Sequence, residues 1–186
     1  MRKSIIAILM TFCLSIMTYA QTPRDRATEL KEQAQSSLNQ KDYKARYLFK
    51  KAYEAFATRE NYPQAIECGV QANALYVREN FYKEGFELCR DMDQLIWAGE
   101  QNQKKVFYDL RFLVNKERLQ MYTALKNPAQ AKTQLNKLEE TANLAKNDSL
   151  TEVLLYTKAN YYYTFNQNTQ GDACFRKLIN QYKEKK

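Results

Sequence analysis

The chain has 186 residues, no histidine, and a formal net charge of +8 from 29 Lys and Arg against 21 Asp and Glu. Without histidine it lacks the commonest general base, the commonest metal ligand and every Ser-His or Cys-His nucleophile. The charges are interspersed, as in Arg24-Asp25-Arg26 and Lys83-Glu84, and the one basic cluster is Lys183-Glu184-Lys185-Lys186, a pattern of a solvated surface and not of a nucleic-acid interface.

Met1-Arg2-Lys3, the apolar run Ile5 to Met17 and Thr18-Tyr19-Ala20 before Gln21 have the order of a secretory signal peptide: basic region, apolar core, small-residue cleavage site. The run is interrupted by Ser4, Thr11 and Ser15 and is shorter than the ~20 apolar residues a membrane span needs. Residues 1–20 are therefore expected to be a signal peptide cut after Ala20, and residues 21–186 a single periplasmic or otherwise extracytoplasmic domain. Phe12 is too large for a lipid-attachment box, so Cys13 goes with the discarded segment. Loss of Arg2 and Lys3 lowers the excess charge to +6. Cys68, Cys89 and Cys174 remain, an odd number that cannot pair fully within one chain. Ile66 and Gly69 near Cys68, and Phe86 and Leu88 before Cys89, point to small buried side chains; a Cys68–Cys89 disulfide is the alternative in an oxidising compartment.

Along the mature segment the apolar residues recur at three and four. Ala45, Leu48, Phe49, Ala52, Tyr53 and Phe56 make one such stripe, Ala131, Leu135, Leu138, Ala142 and Ala145 another, and Gly171, Phe175, Leu178 and Tyr182 a third. Strand signals are weak, with no Asn-Gly or Asp-Gly hairpin. The stripes and their breaks predict helices near 24–39, 43–59, 62–78, 80–99, 102–126, 128–146, 149–166 and 169–183. Pro63 and Pro128 fall in first turns, where a missing N–H costs nothing. Asn61 and Asn127 are expected N-caps, and Asp148 or Ser149 is expected to cap the next helix. Short connections make consecutive helices antiparallel, so the fold class is all-α, built of stacked helical hairpins.

The hairpins share a signature: an aromatic, then nine residues on a small residue, four further a core residue, three further another. Phe56, Ala65, Gly69 and Ala72 fit it, as do Tyr122, Ala131, Leu135 and Leu138, and Tyr162, Gly171, Phe175 and Leu178. The small residue admits close approach and the aromatic fills the wedge. In these offsets the chain resembles the tetratricopeptide family, whose unit of about 34 residues carries an aromatic late in its first helix and an A-x-x-x-F element in its second. Gly69 stands where the family prefers a ring, and Gly85, Cys89 and Met92 resemble a second helix without a clean first helix before it. The resemblance implies a right-handed solenoid. More narrowly, Glu79-Asn80-Phe81-Tyr82-Lys83-Glu84, Lys116-Glu117-Arg118-Leu119-Gln120-Met121-Tyr122 and Asn160-Tyr161-Tyr162-Tyr163-Thr164-Phe165 are similar to the exported tetratricopeptide region of membrane-bound sensor histidine kinases. That resemblance implies a sensing or docking role, with none of the kinase core present.

No catalytic centre, metal site or cofactor is expected. There is no Gly-rich phosphate loop and no Cys-x-x-Cys, and Glu139-Glu140 and Asp91-Met92-Asp93 diverge around their helices. Tyr161-Tyr162-Tyr163 cannot all face one core. If first helices line a groove as in the family, Lys50, Glu54, Lys116, Gln120, Tyr156, Asn160 and Tyr163 form its wall, and tyrosine there suits a protein or peptide partner. Phe175, Leu178, Ile179 and Tyr182 need cover that the chain does not supply. Either the chain is truncated from a longer receptor or its last helix pairs with another chain. The leading expectation is a non-catalytic interaction or sensory scaffold of the two-component kind, the second a structural adaptor that self-associates through its last helix, the third an anion-binding surface protein. Nucleic acid is not an expected partner, and a membrane is expected only through a segment beyond Lys186 or an uncleaved N-terminus.

Overall fold

The computed structural model describes residues 23–184; the signal segment with its cut after Ala20 and Cys13, and Lys185 and Lys186, lie outside the described residues. Eight helices follow one another among them: α1 (Pro23–Asn39), α2 (Lys44–Ala57), α3 (Tyr62–Arg78), α4 (Tyr82–Gln103), α5 (Tyr108–Ala124), α6 (Pro128–Ala145), α7 (Asp148–Thr164) and α8 (Asn168–Glu184). Among the described residues there is no strand, and no helix is long and apolar enough to cross a membrane. The all-helical class and the packing of consecutive helices follow the sequence expectation closely.

The turns explain the nine-residue offset. At the end of α2 the Asn61 N–H donates to the Phe56 carbonyl at 3.1 Å and the Glu60 N–H to the Ala57 carbonyl at 2.9 Å, with Glu60 at φ 56°. This is the Schellman closure, in which a left-handed residue lets two N–H groups reach back to orphan carbonyls. The same closure follows Tyr76 through Asn80 (φ 63°), Tyr122 through Lys126 (φ 53°) and Tyr162 through Asn166 (φ 58°). Each time the aromatic supplies the carbonyl, and the small residue falls in the first turn of the next helix. Asn61 and Asn127 then cap α3 and α6 by accepting from Gln64 N at 3.4 Å and Gln130 N at 3.1 Å. At α7 the cap is Asn147, accepting from Ser149 N at 3.0 Å, one residue ahead of the expected Asp148.

Tyr76, Gly85, Cys89 and Met92 thus form a fourth copy of the signature. Its first helix is α3, which also serves as second helix to α2. The small residues Ala65, Gly85, Ala131 and Gly171 are buried and occupy the fourth position of α3, α4, α6 and α8. The fourth positions of α5 and α7 hold Arg111 and Thr151 instead, and these helices begin new pairs: α5 packs on α6 and α7 on α8 far more extensively than α6 packs on α7. Beyond neighbours, α3 touches α5 and α5 touches α7.

The sequence reading ends α4 at Gly99, but the helix runs on to Gln103 and α5 starts at Tyr108. Gly99 is a packing position: a Cβ there would lie 2.8 Å from Phe107 Cε2 and 2.9 Å from Tyr62 Cε1. The corner that follows is locked by Glu100, whose carboxylate accepts from Phe107 N at 2.9 Å and from Arg111 Nε at 2.7 Å, with a second bond to Arg111 Nη2. Burial raises the Glu100 pKa, yet these bonds and the guanidinium charge outweigh it and hold the carboxyl below its ordinary value.

Helix α5 joins two cores. Val114 and Met121 pack with α1 to α4 around Phe49, Ile66, Met92 and Ile96. Phe112 and Leu119, on its other side, pack with Leu135, Leu138, Leu154 and Tyr161. At the end of the stack Phe175 and Leu178 are half-buried, while Ile179 and Tyr182 are 52% and 54% exposed.

Candidate functional site

Among the described residues three depressions border α5; one, of about 500 Å³, lies at its N-terminal end beside Tyr62, Phe107 and Leu110, and the other two run along its sides. The first of these two lies between α5 and α7, a cleft of about 230 Å³ lined by Lys116, Leu119, Gln120 and Thr123 from α5 and by Val153, Tyr156, Thr157, Asn160 and Tyr161 from α7. The helical repeat puts 116, 119, 120 and 123 on one face and 153, 156, 157 and 160 on the facing one. Beneath it Glu117, 1% exposed, is held by Lys116 Nζ at 3.1 Å and Asn73 Nδ2 of α3 at 3.1 Å. This buried polar link ties α5 to α3. The Thr123 hydroxyl in the cleft wall is buried without a protein partner. Gln120 and Asn160 are exposed, and Tyr156 is 55% exposed with its ring edge-on to Phe175 at 6.1 Å.

Of the residues the sequence singled out, Lys116, Gln120, Tyr156 and Asn160 meet in this cleft. Tyr163 does not line it: its ring stacks on Phe175 at 5.9 Å, over Gly171, and its hydroxyl bonds to Asp172. It is the outward member of the tyrosine triplet, Tyr161 being buried and Tyr162 half-buried. Lys50 and Glu54 stand apart on α2, which packs chiefly on α1 and α3, and neither lines the cleft. The expected register treated α2 as a first helix in line with α5; α3 takes that place and presents Val70 and Ala74 at the corresponding positions.

The second depression, about 420 Å³, runs along the other side of α5. Tyr108, Arg111, Asn115 and Arg118 form its floor, α4 contributes Asp93, Ile96 and Trp97, and α6 contributes Lys137, Glu140, Thr141 and Leu144. Trp97, the only tryptophan, is 63% exposed and Leu144 51%. Nothing in the helical stripes pointed to Trp97, Arg111, Arg118 or Leu144. The left-handed turn residues stand at 41, 60, 80, 104, 126, 146 and 166, so the spacing of about 20 residues widens on either side of Lys104, a departure visible in the backbone and not in the residue types.

No protein-family model, curated protein or solved structure matches the chain.

The thiols carry little nucleophilic character. Burial pushes Cys68 up to about 11, against a small lowering by Lys31, and Cys89 up to about 12, against Arg118. All three are free and buried. Among the described residues no group of His, Cys, Asp and Glu is arranged to hold a metal ion.

Proposed function

We propose that the chain is an extracytoplasmic, non-catalytic scaffold of tetratricopeptide type, with hairpins α3/α4, α5/α6 and α7/α8 stacked as a right-handed solenoid, and that it binds a protein or peptide partner in the α5–α7 cleft. The convergence of Lys116, Gln120, Tyr156 and Asn160 on that cleft carries the reading. The fourth copy of the signature and the succession of α3, α5 and α7 support the repeat assignment. Side-chain amides of Gln120 and Asn160 can read both the C=O and the N–H of an extended backbone, and Tyr156 offers apolar area with a polar tip. The relation to the sensing half of a histidine kinase is part of the same proposal.

The test is selection from a displayed random-peptide library on the purified chain, followed by titration of the selected peptides. Binding is expected to weaken at least tenfold in Tyr156→Ala and Asn160→Ala and to persist in Lys50→Ala. Peptides indifferent to the first two changes, or an empty selection, would overturn the cleft assignment.

A second reading, self-association through α8, is favoured by the exposure of Ile179 and Tyr182. Sedimentation distinguishes it: a dimer that dissociates on Ile179→Ser/Tyr182→Ser supports the adaptor, a monomer at high micromolar concentration removes it.

A further inference from the structure

We propose that the groove on the opposite side of α5 is a second binding site, taking a short extended acidic peptide that seats an apolar side chain between Trp97 and Leu144 and offers carboxylates to Arg111 and Arg118. This stands independently of the α5–α7 cleft.

The groove exists because α4 departs from the repeat. Its extra length and the Glu100 corner hold α4 away from α6, leaving the outer side of α5 uncovered between them. The exposed Trp97 sits on that extension, and Leu144 faces the groove from the opposite wall. A volume of about 420 Å³ falls within the range of sites that enclose small ligands and suits a few residues of extended chain, not a helix about 10 Å across.

Donor balance sets the chemistry of the occupant. A guanidinium carries five N–H donors. Arg111 directs Nε and Nη2 at Glu100, and Arg118 directs Nη2 at the Cys89 carbonyl (3.0 Å) and at Asp93. Both side chains line the groove, Arg111 at 47% and Arg118 at 18% side-chain exposure, and their remaining N–H groups have no protein acceptor among the described residues. Both guanidiniums are held from the α4 side, and such fixed forks favour carboxylate over a flexible cation's partners. Of the carboxylates in the lining, Asp93 is engaged by Arg118, and Glu140 stands beside Lys137 one turn away on α6. Asn115, whose Nδ2 reaches Thr141 Oγ1 at 3.4 Å, keeps its carbonyl oxygen for one peptide N–H. The floor therefore offers more donors than acceptors.

Spacing narrows the ligand further. Arg111 and Arg118 are seven residues apart on one helix, about 10.5 Å along its axis at 1.5 Å per residue. A polyproline II strand returns to the same face every three residues, about 9.3 Å on. Two acidic residues with two others between them match, and one intervening apolar side chain can reach the Trp97–Leu144 slot.

The only tryptophan is the reporter. The probe is the end-capped hexapeptide acetyl-Ala-Glu-Leu-Pro-Glu-Ala-amide, titrated into the purified chain and compared with its Gln-for-Glu counterpart and with inorganic phosphate. The acidic peptide is expected to shift Trp97 emission to the blue saturably, and the Gln peptide to bind at least tenfold more weakly. Two exposed rim changes, checked for unchanged helicity by circular dichroism, should move the acidic peptide in opposite directions: Lys137→Glu weakens it several-fold and Glu140→Lys tightens it several-fold. No saturable shift at millimolar peptide, equal binding of the Glu and Gln peptides, rim changes without effect, or the same shift from phosphate alone would each overturn the proposal.

Discussion

Gly85 and Gly171 occupy the same place in two copies of the signature, yet replacing each by alanine is expected to have opposite effects. Glycine within a helix is about 1 kcal/mol less favourable than alanine, so both changes begin with that gain. At Gly85 the new Cβ would lie 2.8 Å from Met121 Sδ and 3.0 Å from Asn73 Oδ1. Both residues are fully buried, and Asn73 is bonded to the buried Glu117, so neither can retreat into solvent. Overpacking of this kind costs about 1–3 kcal/mol, and with neither neighbour free to move the cost falls in the upper part of that range, leaving Gly85→Ala destabilised by up to roughly 2 kcal/mol after the propensity gain. At Gly171 the near atoms are those of the Tyr163 ring, at 2.9 to 3.1 Å. That ring is 37% exposed and can swing outward, so Gly171→Ala is expected to be neutral or stabilising by about 0.5 kcal/mol. Thermal unfolding followed by circular dichroism at 222 nm reads both: for a domain of this size about 1 kcal/mol moves Tm by about 2–4 °C. In a Met121→Ala background the Gly85→Ala penalty should shrink by about 1 kcal/mol, since touching residues couple. Equal effects of the two glycine changes, or additivity with Met121→Ala, would refute the packing account.

Because the folded Glu100 carboxyl is held below its ordinary value of 4.5, its contribution is complete above that pH and is lost as pH falls through the lower folded value. The stability difference between the wild type and Glu100→Gln should therefore be largest at neutral pH and narrow on acidification, as measured by urea unfolding at several pH values. Leu138 and Leu178 are equivalent across the last two hairpins but fully buried and half-buried respectively. Leu138→Ala is expected to cost about 2–5 kcal/mol and Leu178→Ala well under half as much, by the same unfolding assay. Cys68 and Cys89, with thiols pushed up to about 11 and 12, should resist iodoacetamide at pH 8 in the native chain and react at once in denaturant; rapid native alkylation followed by mass spectrometry would contradict their burial.

Amphipathic spacing, the caps Asn61 and Asn127, and the aromatic-to-small offset are local properties of the chain, and they were enough to specify eight helices, most of their ends, and close packing of successive pairs. Each depends on contacts within a few turns, where 3.6-residue periodicity translates directly into a face. The turn residues Glu60 and Lys126 gave no such warning, because a left-handed position usually marked by glycine is occupied here by ordinary side chains. What the linear pattern left open was which helix lies beside which two positions further on. A signature satisfied by α2/α3 is also satisfied by α3/α4, and only three-dimensional packing assigns α3 as the neighbour of α5. That assignment separates Lys50 and Glu54 from Lys116, Gln120, Tyr156 and Asn160. The groove beside Trp97 likewise arises from the Glu100–Arg111 corner, where side chains eleven residues apart meet only because the chain reverses between them.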